Sequence, residues 1–296
     1  MSSWMIYGAN GYTGRLMAEE AVRRGMRPVL AGRNHEAIES LATKLGLQYL
    51  VFGLDDIDRV SRELKDMKLV MHCAGPFSAT SQPMIEACLA SHTHYLDITG
   101  EISVFENAWK QGDEARRADV VLCPGAGFDV VPTDCLAAKL VEALPAATTL
   151  QLAFEPGGSL SPGTAKTSVE GLAKGGCIRR NGKLEAVPLG YKTRKVPFRH
   201  ATRTAVTIPW GDVFTAWVST GVPDIEVYLS VPPGTVKKLR RLRWLQPILG
   251  VSIVQSFLKR RIDARKPGPD RRLRANTDTQ LWGEVVGSDG RRVSAT

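Results

Sequence analysis

The sequence predicts an α/β protein in which a doubly wound parallel sheet is followed by a second, mixed α+β domain. Short apolar runs recur about every 20–25 residues through the first 123 positions, and amphipathic helical patterns fill the gaps between them. A glycine-rich stretch directly follows the first run. The alternation stops near residue 135, so we expect two domains, residues 1–135 and residues 136–296.

The apolar runs predict six strands: Trp4–Tyr7, Pro28–Ala31, Gln48–Phe52, Leu69–Cys73, His94–Ile98 and Val120–Cys123. Between them, residues such as Ile38, Leu41 and Leu45 repeat at helical spacing. Strands that alternate with helices form a parallel sheet, whose ligand crevice lies at the carboxyl ends of the strands. We therefore expect the functional residues in the loops that follow these strands.

The loop after the first strand has the spacing G-x-x-G-x-x-G. Its glycines allow a tight turn, close approach of the backbone to phosphate, and close packing of helix on strand. The free N–H groups at the start of the next helix bind anions. We expect this loop to bind a dinucleotide, although a strand–turn–helix without a ligand is the alternative. The residues expected to bind are Gly8, Asn10, Gly11, Tyr12, Thr13 and Gly14.

The end of the second strand indicates which dinucleotide binds. An NAD site has an acid there that accepts from the ribose 2′-hydroxyl, whereas an NADP site accommodates the 2′-phosphate with arginine. This chain has Arg33 and Asn34, and its next acid is Glu36. A guanidinium suits a phosphate. We therefore predict NADP(H) as the cofactor, the alternative being that Arg33 is a solvated surface charge.

Two further loops are expected to touch the cofactor. After the third strand, Asp55 and Asp56 offer carboxylates, one of which we expect at the adenine amine and the other as a helix cap; we assign Asp55 to the cofactor. After the fourth strand, small residues and a proline let the backbone pass close to the nicotinamide ribose. The residues of that loop assigned to the cofactor are Cys73, Ala74, Gly75, Pro76 and Phe77.

Three residues are candidates for the chemistry. Asp97 ends the fifth strand, and Asp129 follows the sixth in a loop rich in glycine and proline. Lys166 lies near the start of a helix predicted at 163–174 and would bind a carboxylate or an oxyanion. For the two carboxylates, helix capping or loop bracing is the alternative. The sequence shows no spacing typical of a metal site, so we expect no metal.

Five motifs of the chain, in this order, resemble those of the saccharopine dehydrogenase-like family, in particular the branch that includes trans-acting enoyl reductases. The motifs lie at residues 8–15, 31–34, 73–77, 94–101 and 127–134. The resemblance is strong over the first 135 residues and loose beyond them. It implies a Rossmann domain, use of NADP(H) and a mixed α+β domain after the sixth strand. Relatives continue past a final hairpin with another strand and helix, so the resemblance leaves three alternatives open: a C-terminally truncated chain, a natural short form, or the product of a frameshifted gene.

The second domain is predicted to contain an antiparallel sheet and a terminal hairpin over residues 281–296. Such a sheet commonly closes over a small-molecule substrate or forms a dimer face, and we expect a homodimer. The strands predicted here are Thr148–Phe154, Thr202–Ile208, Phe214–Ser219 and Ile225–Ser230.

The distribution of charge indicates which partners to expect, and the cysteine content indicates the cellular compartment. The net charge is +9, and the stretch 237–274 carries 13 Lys and Arg against two acids. Without a recognition motif, this basicity does not predict nucleic-acid binding. Within residues 237–261, two basic clusters, Lys237–Arg243 and Lys259–Arg261, flank the apolar run Trp244–Phe257. The run is too short to span a bilayer, and we favour a buried helix pair over peripheral membrane contact. Five cysteines without a secretory signal predict free thiols and a cytoplasmic protein.

The sequence leaves three functions open. The first is an NADP(H)-dependent oxidoreductase acting on a C=N or C=O group of a small molecule, as the resemblance implies. The second is an enoyl or carbonyl reductase acting on a lipid or thioester, which would account for the apolar and basic C-terminal segment. The third is a non-catalytic NADP-binding scaffold or sensor, since no complete acid–base set is evident.

Overall fold

The computed structural model describes residues 3–158, 165, 169, 171, 173, 175–263 and 277–296. The chain forms two compact units, Met1–Phe128 and Asp129–Thr296. The division falls shortly before residue 135, because the helix Val131–Ala143 packs against the helix Asp212–Thr220 and the strand Gln280–Gly287 of the second unit.

The first unit contains a six-stranded parallel sheet in the order β3-β2-β1-β4-β5-β6. The direction of winding reverses between β1 and β4, so the carboxyl ends of these two strands border the crevice that such folds use for ligands. This confirms the doubly wound fold. Its strands are β1 Trp4–Tyr7, β2 Val29–Gly32, β3 Tyr49–Val51, β4 Leu69–His72, β5 His94–Asp97 and β6 Leu122–Cys123. Its helices are α1 Tyr12–Arg23, α2 His35–Leu45, α3 Ile57–Leu64, α4 Phe77–Ser91, α5 Ile102–Lys110 and α6 Gly112–Ala118.

Apolar residues cover both faces of this sheet, because successive side chains of a strand point to opposite faces. In β1, Met5 and Tyr7 belong to one buried cluster and Ile6 belongs to another. The first cluster includes Ile85 of α4, and the second includes Ile38 of α2. The two layers of helices therefore fix the strands from both sides and hold the strand ends in place.

The second unit contains a mixed sheet in the order β10-β11-β12-β7-β13-β14, with β8 paired to β12 and β9. Strands β7 and β12 are parallel, and the other pairs are antiparallel. Its strands are β7 Ala147–Glu155, β8 Gly176–Arg180, β9 Lys183–Val187, β10 Thr193–Pro197, β11 Thr202–Thr207, β12 Asp224–Ser230, β13 Gln280–Gly287 and β14 Arg292–Ala295. Its helices are α7 Val131–Ala143, α8 Asp212–Thr220, α9 Pro233–Leu242, a 3-10 turn Arg243–Leu245, α10 Gln246–Leu249 and α11 Ser252–Asp263.

The prediction of a strand at Phe214–Ser219 is wrong, because these residues lie in helix α8. Aromatic and β-branched residues favour strands, but packing on neighbouring elements overrides such preferences. Here Val213, Phe214 and Ala216 are buried at helical spacing, and α8 packs on α7. Gly221, with φ +72°, ends the helix in the left-handed conformation. The other predicted strands and the terminal hairpin are present.

The prediction that Trp244–Phe257 is buried is also wrong. Trp244 is 88% exposed and Ile253 is 78% exposed. The segment folds into short helices whose apolar residues do not all face inward. Within the described residues, no helix is long and apolar enough to cross a membrane.

Candidate functional site

The glycine-rich loop joins β1 to α1 with the geometry that its sequence predicts. Gly8 has φ +79°, and its N–H donates to the carbonyl of Ala31 at 2.7 Å. A Cβ on Gly8 would lie 2.8 Å from the Cβ of Ala74, so no larger residue fits between the β1 and β4 loops. A Cβ on Gly14 would lie 2.8 Å from the Cα of Ala9, which explains the close packing of α1 on β1.

Gly11 differs from the other two glycines because it is not required for packing. A Cβ there would lie 3.2 Å from the carbonyl oxygen of Gly8, a tight but tolerable distance. Gly11 is the N-cap of α1 and has no side chain that could occupy the first N–H groups of the helix. The N-terminus of a helix, with its positive dipole end, generally favours anions. Asn10, Tyr12 and Thr13 beside it are half-exposed.

The end of β2 presents an exposed cation. Arg33 is exposed. Burial raises the pKa of the Tyr7 phenol in the neighbouring strand to about 12, and the positive charge of Arg33 partly offsets this rise. Asn34 is the N-cap of α2, where its Oδ1 accepts from the N–H of Ala37 at 3.1 Å. Arg33 is therefore available to a phosphate, while Asn34 shapes the turn.

The two acids after β3 have different surroundings. Asp56 is the N-cap of α3 and accepts from the N–H of Arg59 at 3.0 Å. Asp55 is exposed, and its side chain folds back over Gly53. The sequence predicts this division, with one carboxylate as a cap and the other left to face a ligand.

The loop after β4 is fixed by its own hydrogen bonds. The hydroxyl of Thr80 donates to the carbonyl of Ala74 at 2.7 Å, and the Gly75–Pro76 peptide bond is cis. Burial raises the pKa of the Cys73 thiol to about 12, so this thiol is neutral at physiological pH. Burial lowers the pKa of His72 to about 3, and its neutral ring packs between aromatic side chains. Cys73 and His72 are therefore both uncharged at neutral pH, and they contribute to the packing of this loop rather than to its charge.

Glu101 is a residue whose role the sequence did not reveal. Its buried carboxylate accepts from the N–H of Phe77 at 3.0 Å and from the N–H of Ser78 at 2.9 Å. These are the first amides of α4, so a side chain after β5 caps this helix from a distance of more than 20 residues. The carboxylate of Glu101 thus caps the N-terminus of α4, whereas the N-terminus of α1 has no side-chain cap.

Asp97 is fully buried, and three donors surround its carboxylate. Its Oδ1 accepts from the N–H groups of Gly125 at 2.7 Å and Thr99 at 2.9 Å, and its Oδ2 accepts from the hydroxyl of Tyr95 at 2.6 Å. Burial raises its pKa, and these bonds partly offset the rise. This geometry braces the ends of β5 and β6, which favours the alternative role; its catalytic role stays a prediction.

Three acids converge at the start of α7 and α8 in the second unit. Burial raises the pKa of the half-buried Asp129 to about 6. Asp134 accepts from the hydroxyl of Ser219 at 2.6 Å through one oxygen. Its other oxygen and both oxygens of Asp212 are buried without a hydrogen-bond partner in the described part of the chain.

Asp212 is the most perturbed of these acids. It is 0% exposed, and burial raises its pKa to about 8, with the carboxylates of Asp134 and Asp129 adding to the rise. Thr133 is the neighbour that would lower this pKa, but its hydroxyl donates to the carbonyl of Val130 at 2.9 Å. Asp212 is therefore protonated at neutral pH. Sequence reasoning missed it because 78 residues separate it from Asp134.

The structure thus brings the loops after β1 and β4 together at Gly8 and Ala74, and places the acids of the second unit around Asp212. Lys166 lies outside the described residues. Among the residues described, no group of three or more His, Cys, Asp or Glu side chains is arranged to hold a metal ion.

Comparison with known proteins identifies the first unit. Residues 4–123 match the family described as the saccharopine dehydrogenase NADP-binding domain. The chain is similar to a saccharopine dehydrogenase-like oxidoreductase of Bos taurus, with 28% identity over 150 residues that cover 44% of this chain and 35% of that protein. It is also similar to a trans-acting enoyl reductase of Mycobacterium bovis (strain BCG / Pasteur 1173P2), with 29% identity over 141 residues covering 44% of this chain and 33% of that protein.

The matched region spans about a third of the length of these curated relatives. A solved structure, the saccharopine dehydrogenase (L-Glu forming) of Saccharomyces cerevisiae, covers 99% of this chain and 84% of its own, with a TM-score of 0.64 and 10% identity. This likeness shows that the fold is shared. Residues 4–123 thus match the NADP-binding domain of saccharopine dehydrogenases, the family that the motifs of the chain resemble.

Proposed function

We propose that the chain is an NADP(H)-dependent oxidoreductase that transfers a hydride to or from a C=N or C=O group of a small molecule. The observation that carries the proposal is the glycine-rich loop that leads into α1, whose N-cap Gly11 makes no side-chain cap hydrogen bond, with the exposed Arg33 at the end of the adjacent strand. Together with the NADP-binding family of residues 4–123, it supports binding of a pyrophosphate and of a 2′-phosphate.

The residues present fit this cofactor. Gly11 leaves room for a pyrophosphate, and Arg33 offers a guanidinium where an NAD site would carry an acid. Asp55 is exposed and free of the helix cap that Asp56 provides, so we assign it to the adenine. The loop Cys73–Phe77 is held in one shape by Thr80 and Glu101, and we assign it to the nicotinamide ribose.

When bound, the nicotinamide supplies or accepts the hydride, and the protein supplies position and a proton. We assign the proton to Asp129, because its pKa of about 6 allows it to hold and release a proton near neutral pH. Asp212, protonated up to about pH 8, keeps a second negative charge away from Asp129 at neutral pH. We assign Asp97 to positioning of the loops after β5 and β6; the catalytic role of Lys166 stays a prediction.

A second candidate is an enoyl reductase acting on a lipid or thioester. The similarity to a trans-acting enoyl reductase supports it, and so does the exposed apolar segment around Trp244. This reading keeps the same cofactor and the same first unit, and differs in the bond reduced, C=C instead of C=N or C=O. The third candidate is a non-catalytic NADP-binding protein. The deuterium-transfer experiment described next distinguishes all three candidates.

A deuterium-transfer experiment tests the proposal. The protein is incubated with NADPH carrying two deuterium atoms at C4 of the nicotinamide, and with 2-oxo acids plus amines, ketones and enoyl thioesters. Mass spectrometry then locates the label. Deuterium on an amine or alcohol carbon supports the proposal, and deuterium on the β-carbon of a thioester supports the second candidate. Tight NADPH binding with the label retained across all classes contradicts both and favours the non-catalytic reading.

We further propose a cytoplasmic homodimer. The location rests on the five cysteines, all of which are free thiols. The dimer rests on the extended mixed sheet of the second unit, a type of surface that often pairs with another copy. Sedimentation of the purified protein at several concentrations tests the dimer, because a constant monomer mass contradicts it.

A further inference from the structure

The second unit exposes a mixed basic and apolar surface that its fold does not explain. We define the basic–apolar surface by its exposed apolar residues, Trp244, Leu245, Ile248, Val251, Ile253 and Phe257, and its exposed basic residues, Lys237, Lys238, Arg240, Arg241, Arg260 and Arg261. Soluble proteins expose single apolar side chains routinely, but contiguous patches mark contact sites. Six large exposed apolar residues lie within 14 positions of the chain, in the consecutive short helices between Arg243 and Asp263.

The exposed apolar residues are not needed to hold these helices in place. The guanidinium of Arg243 donates to the carbonyls of Leu189 at 2.6 Å and Gly190 at 3.0 Å, which ties the segment to the loop after β9. Val236 of α9 is buried, and the side-chain amide of Gln255 in α11 donates to the carbonyl of Leu249 in α10 at 2.6 Å. The anchoring groups thus lie on the inner side, and the apolar residues of the outer side face solvent.

The geometry of the exposed residues suits an interface between water and an apolar phase. Ile253 and Phe257 are one helical turn apart in α11 and lie on the same face. The guanidinium of Arg261 lies over the ring of Phe257, 5.2 Å from its centroid. Trp244, the most exposed of the set, is a residue type that favours membrane–water boundaries.

The charge of the basic–apolar surface indicates which kind of partner fits it: a second copy of the chain, a nucleic acid or a lipid surface. From Lys237 to Arg261 the sequence has eight basic residues and no acidic one. A two-fold dimer would bring this surface against itself and set like charges together. A nucleic acid would pair with the charges, but it would leave the aliphatic residues Leu245, Ile248 and Ile253 without a partner. An anionic lipid surface matches both the charges and the apolar side chains.

We propose that the basic–apolar surface binds reversibly to anionic phospholipid membranes. The basic residues contact the headgroups, and Trp244, Ile253 and Phe257 enter the boundary with the acyl chains. This contact lies along the membrane surface and does not require a spanning helix. It goes beyond the proposed oxidoreductase function, since it concerns where the protein is held rather than what it reduces.

Vesicle flotation tests the proposal with the full chain. Vesicles of phosphatidylcholine alone and of phosphatidylcholine with phosphatidylserine are compared at low and high salt. We expect the wild type to float with the serine-containing vesicles, and to do so less at high salt because salt screens the charges. Each basic residue near an anionic surface contributes about fivefold in partitioning. The triple variant Lys237→Gln, Lys238→Gln, Arg241→Gln should therefore bind about a hundredfold more weakly if the three contributions add.

Matched variants separate the surface from overall charge and hydrophobicity. Lys44→Gln, Lys65→Gln, Lys110→Gln removes the same charge from exposed sites of the first unit and should float like the wild type. Ile253→Ser, Phe257→Ser should lose flotation, whereas Val121→Ser, Val218→Ser, at other exposed positions, should keep it. A thermal melt and an NADPH titration of each variant identify any variant that misfolds. If a variant misfolds, the dependence of wild-type flotation on lipid composition and salt still tests the proposal.

Three results would overturn the proposal. The first is wild-type protein that stays with the buffer at every lipid composition and salt concentration. The second is a stable dimer that dissociates in Ile253→Ser, Phe257→Ser without any vesicle binding, which would make this surface a contact between copies. The third is salt-sensitive binding to a DNA duplex, unchanged in that variant and stronger than binding to vesicles, which would make the occupant a nucleic acid.

Discussion

The carboxylate of Glu101 accepts the N–H of Phe77 at 3.0 Å, so that a side chain following β5 caps the helix that follows β4. The bond caps the N-terminus of α4 with a carboxylate, whereas the N-cap of α1 is Gly11, which makes no side-chain cap hydrogen bond. Two neighbouring helices that begin at the same edge of the sheet thus differ in how their N-termini are capped. The helix without a side-chain cap follows the glycine-rich loop, where the pyrophosphate is proposed to bind.

Removing the Glu101 carboxylate should destabilise the protein. Glu101→Ala leaves the buried amide of Phe77 without its acceptor, which costs about 1–3 kcal/mol of the free energy of unfolding. Glu101→Gln keeps one acceptor oxygen and should cost less. Urea unfolding measures both, with the exposed Glu19→Ala as the control. Wild-type stability in Glu101→Ala would show that the contact contributes nothing.

Two glycine variants in one loop should fail in different ways. Gly11→Val should lose NADPH binding with a near-normal thermal melt, because the new side chain enters the space proposed for the pyrophosphate. Gly14→Val should lower the melting temperature, because its Cβ would lie 2.8 Å from the Cα of Ala9. Fluorescence titration with NADPH and a thermal melt separate the two effects. Retained binding in a folded Gly11→Val would place the phosphates elsewhere.

Asp212 should make stability fall as pH rises. The pKa of an unfolded aspartate is about 3.9, whereas burial raises that of folded Asp212 to about 8. Between these values the folded state holds a proton that the unfolded state lacks. The free energy of unfolding therefore decreases from about pH 4 to about pH 8 and then levels off.

The variant Asp212→Asn should remove this dependence. Its free energy of unfolding, relative to the wild type, should rise by roughly 2–4 kcal/mol between pH 5 and pH 8. Urea unfolding at the two pH values measures the difference, and Asp66→Asn, at an exposed site, should leave it unchanged. Parallel pH profiles for wild type and Asp212→Asn would mean that Asp212 carries its charge in the folded protein.

Asp129 should give the reduction rate a pH dependence. If it supplies the proton, its protonated fraction falls as pH rises through about 6, so kcat for reduction should fall about tenfold per pH unit above that value. Asp129→Asn should lower kcat about 10²–10⁴-fold and abolish this profile while NADPH binding is kept. The exposed Asp58→Asn is the control. A wild-type profile in Asp129→Asn would remove this residue from the chemistry.

The first unit could be predicted closely because its signals are local. Apolar runs such as Trp4–Tyr7 and helical repeats such as Ile38, Leu41 and Leu45 lie within single elements, and the loop glycines follow their strand directly. The strand order then follows from the alternation of strand and helix. The same locality explains why one of Asp55 and Asp56 could be foreseen as a cap; the structure shows that it is Asp56.

The rest depended on contacts between distant segments. Glu101 meets Phe77, and Asp212 meets the Asp129–Asp134 region, only after folding. Phe214–Ser219 has the composition of a strand, but packing on α7 makes it a helix. The apolar run Trp244–Phe257 resembles a core segment, since sequence alone does not show which apolar residues face solvent.

Cofactor titration tests the central claim, an NADP(H) site with Arg33 at the 2′-phosphate, most directly. Calorimetry with NADPH and NADH should give about ten- to hundredfold tighter binding of NADPH, because a charge-assisted contact with phosphate contributes about 1.5–3 kcal/mol. Arg33→Ala should lose this preference while its affinity for NADH stays the same, and the exposed Arg117→Ala should keep it. Equal affinities of the wild type for the two cofactors, or an unchanged preference in Arg33→Ala, would contradict the account.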